Sequence, residues 1–445
     1  MGKSIEKRLT FKRPIKLDHD VPLLRTLNLI QTTFVGIGTA IGGVIFAIMG
    51  IAIEAAGPSL VLTFLIGALF ALIIGLSYAE LGASVPEAAG GAISFVRRAY
   101  GDGIVTFIAG WFSWIGSITD AAIGSMVFAL SIHYFFPWVE PFSLAIITLI
   151  VVALVNFKGT KMMSTVQFVL TAILILTLSL YMTGSSFSFE FGRFEPIFPY
   201  GVLPTLYMVS FIFPTYAGYE SITQLSEEVK TAGKNIPKAL LLTWVAITII
   251  FTGTAIATIG AAPPEVYIGS NTPLQDAASY FLGPIGGIVV SVASIVAVLT
   301  TINGGMAGGT RIAYALSRSR FLPSFFDRVH PRYRSPYTAL ALTALLAIAF
   351  VLTRSVNFIV YAITLGYSVT AIMVCFALMR LRRKEPQLYR PFRVPLYPFT
   401  PIIGILVLVF MIATLSLESL VLGCVLGVVG VVLFRLTRKI RKAEV

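Results

Sequence analysis

Residues 34–46 of the chain read FVGIGTAIGGVIF, an apolar stretch with four glycines within eight positions. Each glycine in a helix interior costs up to about 1 kcal/mol relative to alanine. The stretch therefore disfavours one straight helix. Small residues also let membrane helices pack closely, so a packing face is the alternative explanation for the glycines alone.

A second interrupted stretch, residues 211–221, reads FIFPTYAGYES. Pro214 lacks a backbone donor, Gly218 follows one turn later, and Glu220 places a carboxyl group in an apolar run. An interior proline kinks or breaks a helix, and irregular backbone at membrane depth needs protein or a water-filled cavity beside it. Two interrupted apolar segments, each the first of a five-span half, are typical of the binding site of an inverted-repeat transporter.

The composition indicates a membrane protein. Hydrophobic residues make up 57% of the 445 residues, charged residues make up 12%, and the mean hydropathy is +0.89; a soluble domain carries about twice that charged fraction. At about 20 residues per span, the sequence predicts an all-α membrane protein with twelve transmembrane helices. The predicted spans are 27–53, 58–81, 104–134, 142–157, 160–183, 201–226, 238–260, 284–316, 336–352, 356–380, 398–416 and 418–435.

The cationic residues predict the orientation of these spans. Of the 33 lysines and arginines, 31 lie in every second gap between spans, and only Arg193 and Arg354 lie in the others. Cationic residues are retained on the cytoplasmic side of a membrane. We therefore expect a plasma-membrane protein with cytoplasmic tails at 1–26 and 436–445. The net charge of +13 is then a topology signal, and a nucleic-acid partner is not expected.

Asp120 is a candidate coupling residue at mid-membrane. It lies about 16 residues into the third span, where a helix has risen roughly 24 Å. Its helical face carries small and polar residues, so the carboxyl group is expected to point at neighbouring helices and not at lipid. It could carry a coupling proton, pair with the distal amine of a basic substrate, or be a structural hydrogen-bonding group. The small and polar residues of this face are Ser113, Gly116, Ser117 and Gly124.

Three further polar residues are candidates for coupling. Glu220 could neutralise the break, relay a proton or cap the helix that resumes after it. Thr300 and Thr301 lie near the centre of span eight, followed by Asn303. Their hydroxyl groups could bind sodium, although threonines in membrane helices usually bond to their own i−4 carbonyl group.

Other polar residues are expected to be structural. Glu54 and Glu80 are predicted at the membrane interface, and Glu227, Glu228, Lys230 and Lys234 in a solvated loop. Cys375 and Cys424 lie in separate apolar runs, so neither a disulfide nor a metal site is expected. An intramembrane enzyme is disfavoured because the chain has no His-x-x-x-His, Glu-x-x-His or Gly-x-Ser-x-Gly pattern. A channel is disfavoured because no span repeats as a ring of like charges.

Several motifs in this order resemble the amino acid–polyamine–organocation (APC) superfamily of permeases. They are IGGVIF at 41–46, PEAAGG at 86–91 with Phe95 and Tyr100-Gly101 after it, YAGYE at 216–220, and a stretch from Gly309 to Ser335-Pro336. The resemblance covers nearly the whole chain. It implies two inverted five-helix repeats, here 27–183 and 201–380, followed by two helices in 398–435. Helices one and six are expected to be discontinuous.

The resemblance also implies site residues. Backbone amides of Gly42, Gly43 and Val44 would bind a substrate carboxylate, and carbonyl groups would hold its ammonium. The chain departs from the family pattern at Val44, which is often glycine, and at Pro214, where an aromatic lid is common. Phe213 or Tyr216 could serve as the lid instead, or both could be core aromatics. The lysine that some proton-coupled relatives carry in helix five is absent here. The substrate-binding candidates are Ala40, Ile41, Gly42, Gly43, Val44, Phe213, Pro214, Tyr216, Ala217 and Gly218, and the coupling candidates are Asp120, Glu220, Thr300 and Thr301.

The resulting expectation is a secondary active transporter that moves amino acids by alternating access. No cofactor is expected beyond a coupling H+ or Na+, with the proton favoured. A polyamine or organic-cation carrier and an obligate exchanger are the alternatives. The expected partners are an amino acid substrate and the lipid bilayer, and the substrate's identity and the oligomeric state stay open.

Overall fold

The structure, a computed structural model, describes residues 23–85, 90–216, 218–270, 272–354, 356–415 and 417–444. Among these residues it is nearly all helical, with one isolated parallel bridge between Leu27 and Val229 and no strand. The predicted N-terminal tail up to residue 22 and residues 86–89 of the PEAAGG motif lie outside the described residues.

Sixteen α-helices are assigned within the described ranges. In chain order they are α1 (Leu29–Ile41), α2 (Val44–Ala56), α3 (Leu60–Ser84), α4 (Ala92–Tyr100), α5 (Ile104–Phe135), α6 (Pro141–Phe157), α7 (Thr160–Gly184), α8 (Val202–Ile212), α9 (Tyr219–Gln224), α10 (Ala232–Ala261), α11 (Pro264–Tyr267), α12 (Pro273–Arg318), α13 (Tyr337–Leu352), α14 (Val356–Lys384), α15 (Phe399–Ala413) and α16 (Leu417–Glu444).

Local sequence signals explain where several helices begin and end. Asn28 and Gln31 form a capping box at the start of α1, because each side chain accepts a hydrogen bond from the backbone N–H of the other. The same helix ends before Gly42, whose φ of 47° is in the left-handed region that favours glycine. Within α12 the helix is interrupted at Gly283, with φ 72°. The predicted span 284–316 begins directly after this interruption, and α12 has eleven further residues, 273–283, before it.

Seven helical segments of the described chain are long and apolar enough to cross a membrane, and five more apolar helices are 10–17 residues long. The short helix α4 was not expected from the sequence, because its nine residues include Arg97 and Arg98. Helix α12 lies at the centre of the bundle and packs against α1, α5, α7 and α13.

Two acidic residues are buried against distant arginines. Glu228 is expected in a solvated loop, yet it is 1% exposed and bonds to Arg311, which is also 1% exposed. That prediction is wrong, because the arginine neutralises the charge of the buried carboxylate. Glu80 is fully buried and accepts from Arg382, and its position at the membrane interface stays a prediction. Lys230 and Lys234 are exposed as predicted.

These ion pairs lie near the loops that carry most of the lysines and arginines of the chain. The segment after α9 is tied to the start of α1 by two backbone bonds, Leu27 N to Glu228 O at 3.0 Å and Lys230 N to Leu27 O at 2.8 Å. We call this part of the bundle the cationic end; it comprises Glu80, Arg98, Glu228, Arg311, Arg382, Glu385 and Arg390.

Candidate functional site

The gap between α1 and α2 exposes two kinds of backbone group at one place. Helix α1 ends at Ile41 and α2 begins at Val44, with Gly42 and Gly43 between them. The last carbonyl groups of a helix and its first amide groups lack intrahelical partners. The gap therefore presents a carbonyl end with partial negative charge next to an amide end with partial positive charge. A helix N-terminus of this kind binds anions, carboxylates among them.

Helix α12 packs directly against this gap. A side chain at Gly42 would meet the hydroxyl group of Thr301, and one at Gly43 would meet Val298, at 3.4 Å from its Cα atom. The Thr301 side chain is 5% exposed, and within the described ranges its hydroxyl oxygen has no hydrogen-bond partner. A buried donor without a partner next to free amide groups is suited to an anionic ligand.

The second interrupted stretch meets the first one through Gly218. A Cβ atom at Gly218 would lie 2.5 Å from the Cα atom of Ala40 and 2.6 Å from its Cβ atom. Only glycine permits so close an approach between α1 and the start of α9. The chain from Phe213 to Tyr216, with Pro214, is a 3-10 turn between α8 and α9. Ala217 lies outside the described residues, as do the side chains of Pro214 and Val44.

The two aromatic candidates of this stretch are both buried. Tyr216 donates its hydroxyl hydrogen to the carbonyl oxygen of Phe64 at 2.8 Å, and its ring is T-shaped to Phe251 at 5.1 Å. Phe213 belongs to the same apolar core. The Tyr216 ring is therefore held against α3 and α10, and a role for either residue as a lid over a substrate stays a prediction.

Asp120 is half-buried between α5, α12 and α14. Its carboxylate accepts a hydrogen bond from the hydroxyl group of Tyr367, whose ring packs against Gly116. A side chain at Gly305 would lie 3.1 Å from the Asp120 Cβ atom. Because Gly305 follows Thr301 by one helical turn on α12, the carboxyl group lies about one turn from the α1–α2 gap.

Glu220 is a second buried carboxyl group, on α9. It is 2% exposed and accepts a hydrogen bond from the hydroxyl group of Tyr78 on α3. Its Oε2 atom has no hydrogen-bond partner in the described part of the chain. No arginine or lysine is paired with either Asp120 or Glu220 among the described side chains.

Thr300 connects α12 to α1. Its hydroxyl group donates to the carbonyl oxygen of Gly38 at 2.7 Å, and its own carbonyl oxygen accepts from Nε2 of Gln167 at 3.2 Å. Gln167 and its neighbour Asn156 were not expected to have a role. The sequence did contain a signal for such a role. Each residue is a carboxamide inside an apolar run, and a polar group in a membrane span needs a partner.

No metal site is formed by the side chains that the structure describes: no three histidine, cysteine or acidic residues are grouped closely enough to hold a metal ion. The polar groups that the structure does bring together are backbone amides, carbonyls, hydroxyls and isolated carboxyls. Such groups can bind and orient a ligand or a proton.

Comparison with known proteins gives a consistent result. A family model described as amino acid permease matches residues 27–428. The branched-chain amino acid permease BcaP of Bacillus subtilis is 24% identical, over 93% of this chain and 92% of its own. The methylthioribose transporter of the same organism is 25% identical, over 86% of each chain. Its serine/threonine exchanger SteT is 27% identical, over 87% of this chain and 89% of its own.

Proposed function

Because the chain belongs to the amino acid permease family of the APC superfamily, we propose that this multi-pass membrane protein carries an amino acid across the plasma membrane by alternating access. The family and the relatives are transporters. The finer proposal rests on the gap at Gly42-Gly43, which can bind both charged ends of an α-amino acid.

The proposed topology has twelve membrane-spanning segments. The seven long apolar segments and the five shorter apolar helices together account for twelve. We assign α1 with α2 to span one and α8 with α9 to span six, so that both are discontinuous. Inverted repeats at 27–183 and 201–380, two further helices at 398–435 and cytoplasmic termini complete the proposal. The alternation of the cationic loops supports this orientation.

The site proposal follows from the opposite charges at the gap. An α-carboxylate would accept from the free amide groups at the start of α2 and from the Thr301 hydroxyl. An α-ammonium would donate to carbonyl groups at the end of α1 and in the stretch between α8 and α9, with Ala40, Pro214 and Ala217 as the candidates. The single observation that carries this proposal is the buried Thr301 hydroxyl against Gly42, which has no hydrogen-bond partner among the described residues.

We propose that transport is coupled to a proton and not to sodium. Asp120 and Glu220 are the two carriers to consider, because each is a carboxyl group inside the bundle that accepts a hydrogen bond from a tyrosine hydroxyl group. Each could take up a proton without breaking an ion pair. An obligate exchange mechanism is the second candidate, and the exchanger SteT among the relatives favours it.

Counterflow in proteoliposomes tests the proposed function. Purified protein is reconstituted into liposomes loaded with an excess of unlabelled amino acid, and uptake of the same labelled amino acid is followed. We expect accelerated uptake for some members of a panel that includes leucine, isoleucine, valine, serine and threonine. Methylthioribose is the control substrate, since it has neither an α-carboxylate nor an α-ammonium group. Accelerated uptake of methylthioribose with none for any amino acid would contradict the proposal, as would acceleration for a polyamine alone.

A further inference from the structure

A lateral groove lies between α7 and α12, in the half of the bundle away from the cationic end. Helix α7 begins at Thr160, whose hydroxyl group accepts from Arg311 of the cationic end at 3.0 Å, and the groove lies at its other end. The walls are residues 177–187, from the last turns of α7 and the loop after it, and residues 282–290 of α12. The groove volume of about 630 Å3 is within the roughly 300–1,000 Å3 of a ligand pocket. We call this feature the α7–α12 groove.

The α7–α12 groove is separate from the proposed amino acid site. That site meets α12 at Val298 and Thr301, against Gly42 and Gly43. The groove residue of α12 that is nearest to them in the chain is Val290, and the eight residues from there to Val298 rise about 12 Å. A ligand in the groove therefore leaves the amino acid site free.

The hydroxyl groups of the α7–α12 groove are already hydrogen-bonded within the chain. Thr177 and Thr183 donate to carbonyl oxygens of their own helix at 3.0 and 2.9 Å, and Ser186 donates to Thr183 O at 2.7 Å. Tyr181 is bonded to the hydroxyl group of Thr258 at 2.8 Å. No charged side chain lines the groove in the part of the chain that the structure describes. Such a lining disfavours a polar solute, which would lose its hydrogen bonds to water, and suits a hydrocarbon chain.

The surface around the α7–α12 groove is apolar and exposed. Ile285 is 75% exposed on the α12 wall, and Leu180 and Val289 are exposed on the two walls. The loop after α7 adds Phe187, a groove residue that is 87% exposed, and Phe191, which is 83% exposed. Large exposed apolar surfaces mark a contact with a membrane or a partner. Because the chain is a multi-pass membrane protein, lipid is the apolar medium that this surface meets.

We propose that the α7–α12 groove binds one acyl chain of a phospholipid, from the leaflet on the side away from the cationic end. The acyl chain lies between Leu180 of α7 and Val289 of α12, and the headgroup stays in the polar layer beside the loop after α7. Since no charged side chain faces the groove, the acyl chain is recognised and the charge of the headgroup is not. The bound chain fills the space between the two helices and stabilises their packing.

The test counts the phospholipids that the purified protein retains after repeated detergent washes, by native mass spectrometry. Val289→Trp places an indole ring in the groove, so this variant should retain one phospholipid fewer than wild type. The matched control is Val292→Trp, the same change at an exposed position of α12 that does not line the groove. It should retain the wild-type number.

A second pair of variants repeats the test from the opposite wall. Leu180→Trp fills the groove from α7, and Leu176→Trp is its control, since Leu176 is exposed on α7 outside the groove. The two pairs are independent, so one variant that fails to fold leaves the other to decide. Washing should lower the Tm of wild type, and phosphatidylcholine or phosphatidylglycerol should restore it equally. The two groove-filling variants should lose less Tm on washing.

Four outcomes would overturn the inference. One is the wild-type number of retained phospholipids in both groove-filling variants, and another is an equal loss in the two controls. A third is restoration of the Tm by phosphatidylglycerol alone, which would mean that headgroup charge is recognised. The fourth is a wild-type dimer that Val289→Trp and Leu180→Trp convert to a monomer without loss of lipid, since a second copy of the chain would then cover the groove. None of these measurements needs a transported substrate, so they stand apart from the test of the proposed function.

Discussion

Buried carboxyl groups at the cationic end have arginine partners, whereas those in the middle of the bundle have tyrosine partners. Glu228 bonds to Arg311 at 2.7 Å and Glu80 to Arg382 at 2.9 Å. Asp120 and Glu220 accept from the hydroxyl groups of Tyr367 and Tyr78. An arginine is always charged and fixes the charge of its partner. A tyrosine hydroxyl is neutral, so the carboxyl group beside it can change its protonation state and keep its donor.

This difference separates a structural region from a functional one. The ion pairs of the cationic end join α3, α12, α14 and the segment after α9, and a change in charge there would leave an unpaired buried ion. The middle of the bundle, with Asp120, Glu220 and Thr301, holds groups whose partners are neutral or missing. We therefore expect mutations at the cationic end to change stability and mutations in the middle to change transport.

The largest expected effect is the loss of the buried ion pair. Arg311→Met leaves the Glu228 carboxylate without its guanidinium partner, and removal of one member of a buried pair costs about 3–5 kcal/mol. The free energy of unfolding, measured in detergent with a chemical denaturant, should fall by that amount. The double variant with Glu228→Gln should recover much of the loss, because the remaining amide is neutral.

The control is Arg318 of the same helix, whose pair with Glu227 is more exposed than that of Arg311 with Glu228. Arg318 is 49% exposed and bonds to Glu227 at 2.8 Å, and exposed ion pairs contribute about 0–1 kcal/mol. Arg318→Met should therefore be close to wild type. If both arginine variants lost the same free energy of unfolding, burial of the Arg311 pair would not add to its contribution, which would contradict the prediction.

The next effect concerns transport through Asp120. Asp120→Asn imitates the protonated carboxyl group and cannot release a proton. Uptake driven by a pH gradient should fall to the level measured without a gradient, while exchange of labelled for unlabelled substrate should persist. The control is Asp102→Asn, which makes the same change at an exposed residue paired with Arg97 and should leave uptake intact.

Other outcomes for Asp120 are equally informative. Gradient-driven uptake at the wild-type level would make Asp120 a structural residue and would direct the same test to Glu220→Gln. A variant that loses affinity only for lysine, arginine or ornithine, at every pH, would instead make Asp120 a contact for the distal amine of a basic substrate.

A smaller effect is expected for the hydroxyl group at the gap. Thr301→Val keeps the shape of the side chain and removes the donor proposed for the substrate carboxylate. A hydrogen bond to a charged group contributes roughly 1.5–3 kcal/mol, so the Kd for the amino acid should rise by at least about tenfold. Thr301→Ser should restore binding. Thr310→Val is the control on the same helix, because the Thr310 hydroxyl donates to its own helix at Met306 O.

The smallest expected effect is at the surface of the cationic end. Arg98 bonds to Glu385 at 2.8 Å and lowers the pKa of that carboxyl group below its ordinary value of 4.5. A carboxyl group with a lowered folded-state pKa stabilises the protein above pH 4.5 and loses this contribution as the pH falls through the folded-state value. Glu385→Gln should remove less than about 1 kcal/mol at pH 7, since both side chains are partly exposed, and its decline in stability below pH 4.5 should be shallower than that of wild type. An unchanged acid profile would show that the pair does not contribute.

Local sequence patterns predict much of the fold and part of the site. The hydrophobic runs locate the long helices. Gly42 and Gly43 mark the end of α1, because this boundary depends on the backbone conformation that Gly42 itself adopts. The depths of Asp120 and Thr301 within their spans follow from the rise of a helix. Their partners do not, because Tyr367 and Gly42 are far away in the sequence.

Long-range pairing explains the prediction that is wrong. Glu228 has the local sequence of a solvated loop, and only the fold brings Arg311 to it from 83 residues away. The hydrogen bond between Gln167 and Asn303 is hidden for the same reason, since the two residues are 136 positions apart. A single sequence shows that such polar groups need partners but not which partners they find.

The central claim is that the gap at Gly42-Gly43 recognises both charged ends of an amino acid. The most direct measurement compares the affinity of wild-type protein for one transported amino acid and for its decarboxylated amine, by titration calorimetry at the same pH and ionic strength. The proposed site predicts that the amino acid binds and that the amine, which has no carboxylate for the α2 amides and Thr301, binds at least about tenfold more weakly. Equal affinity for the two compounds would contradict it.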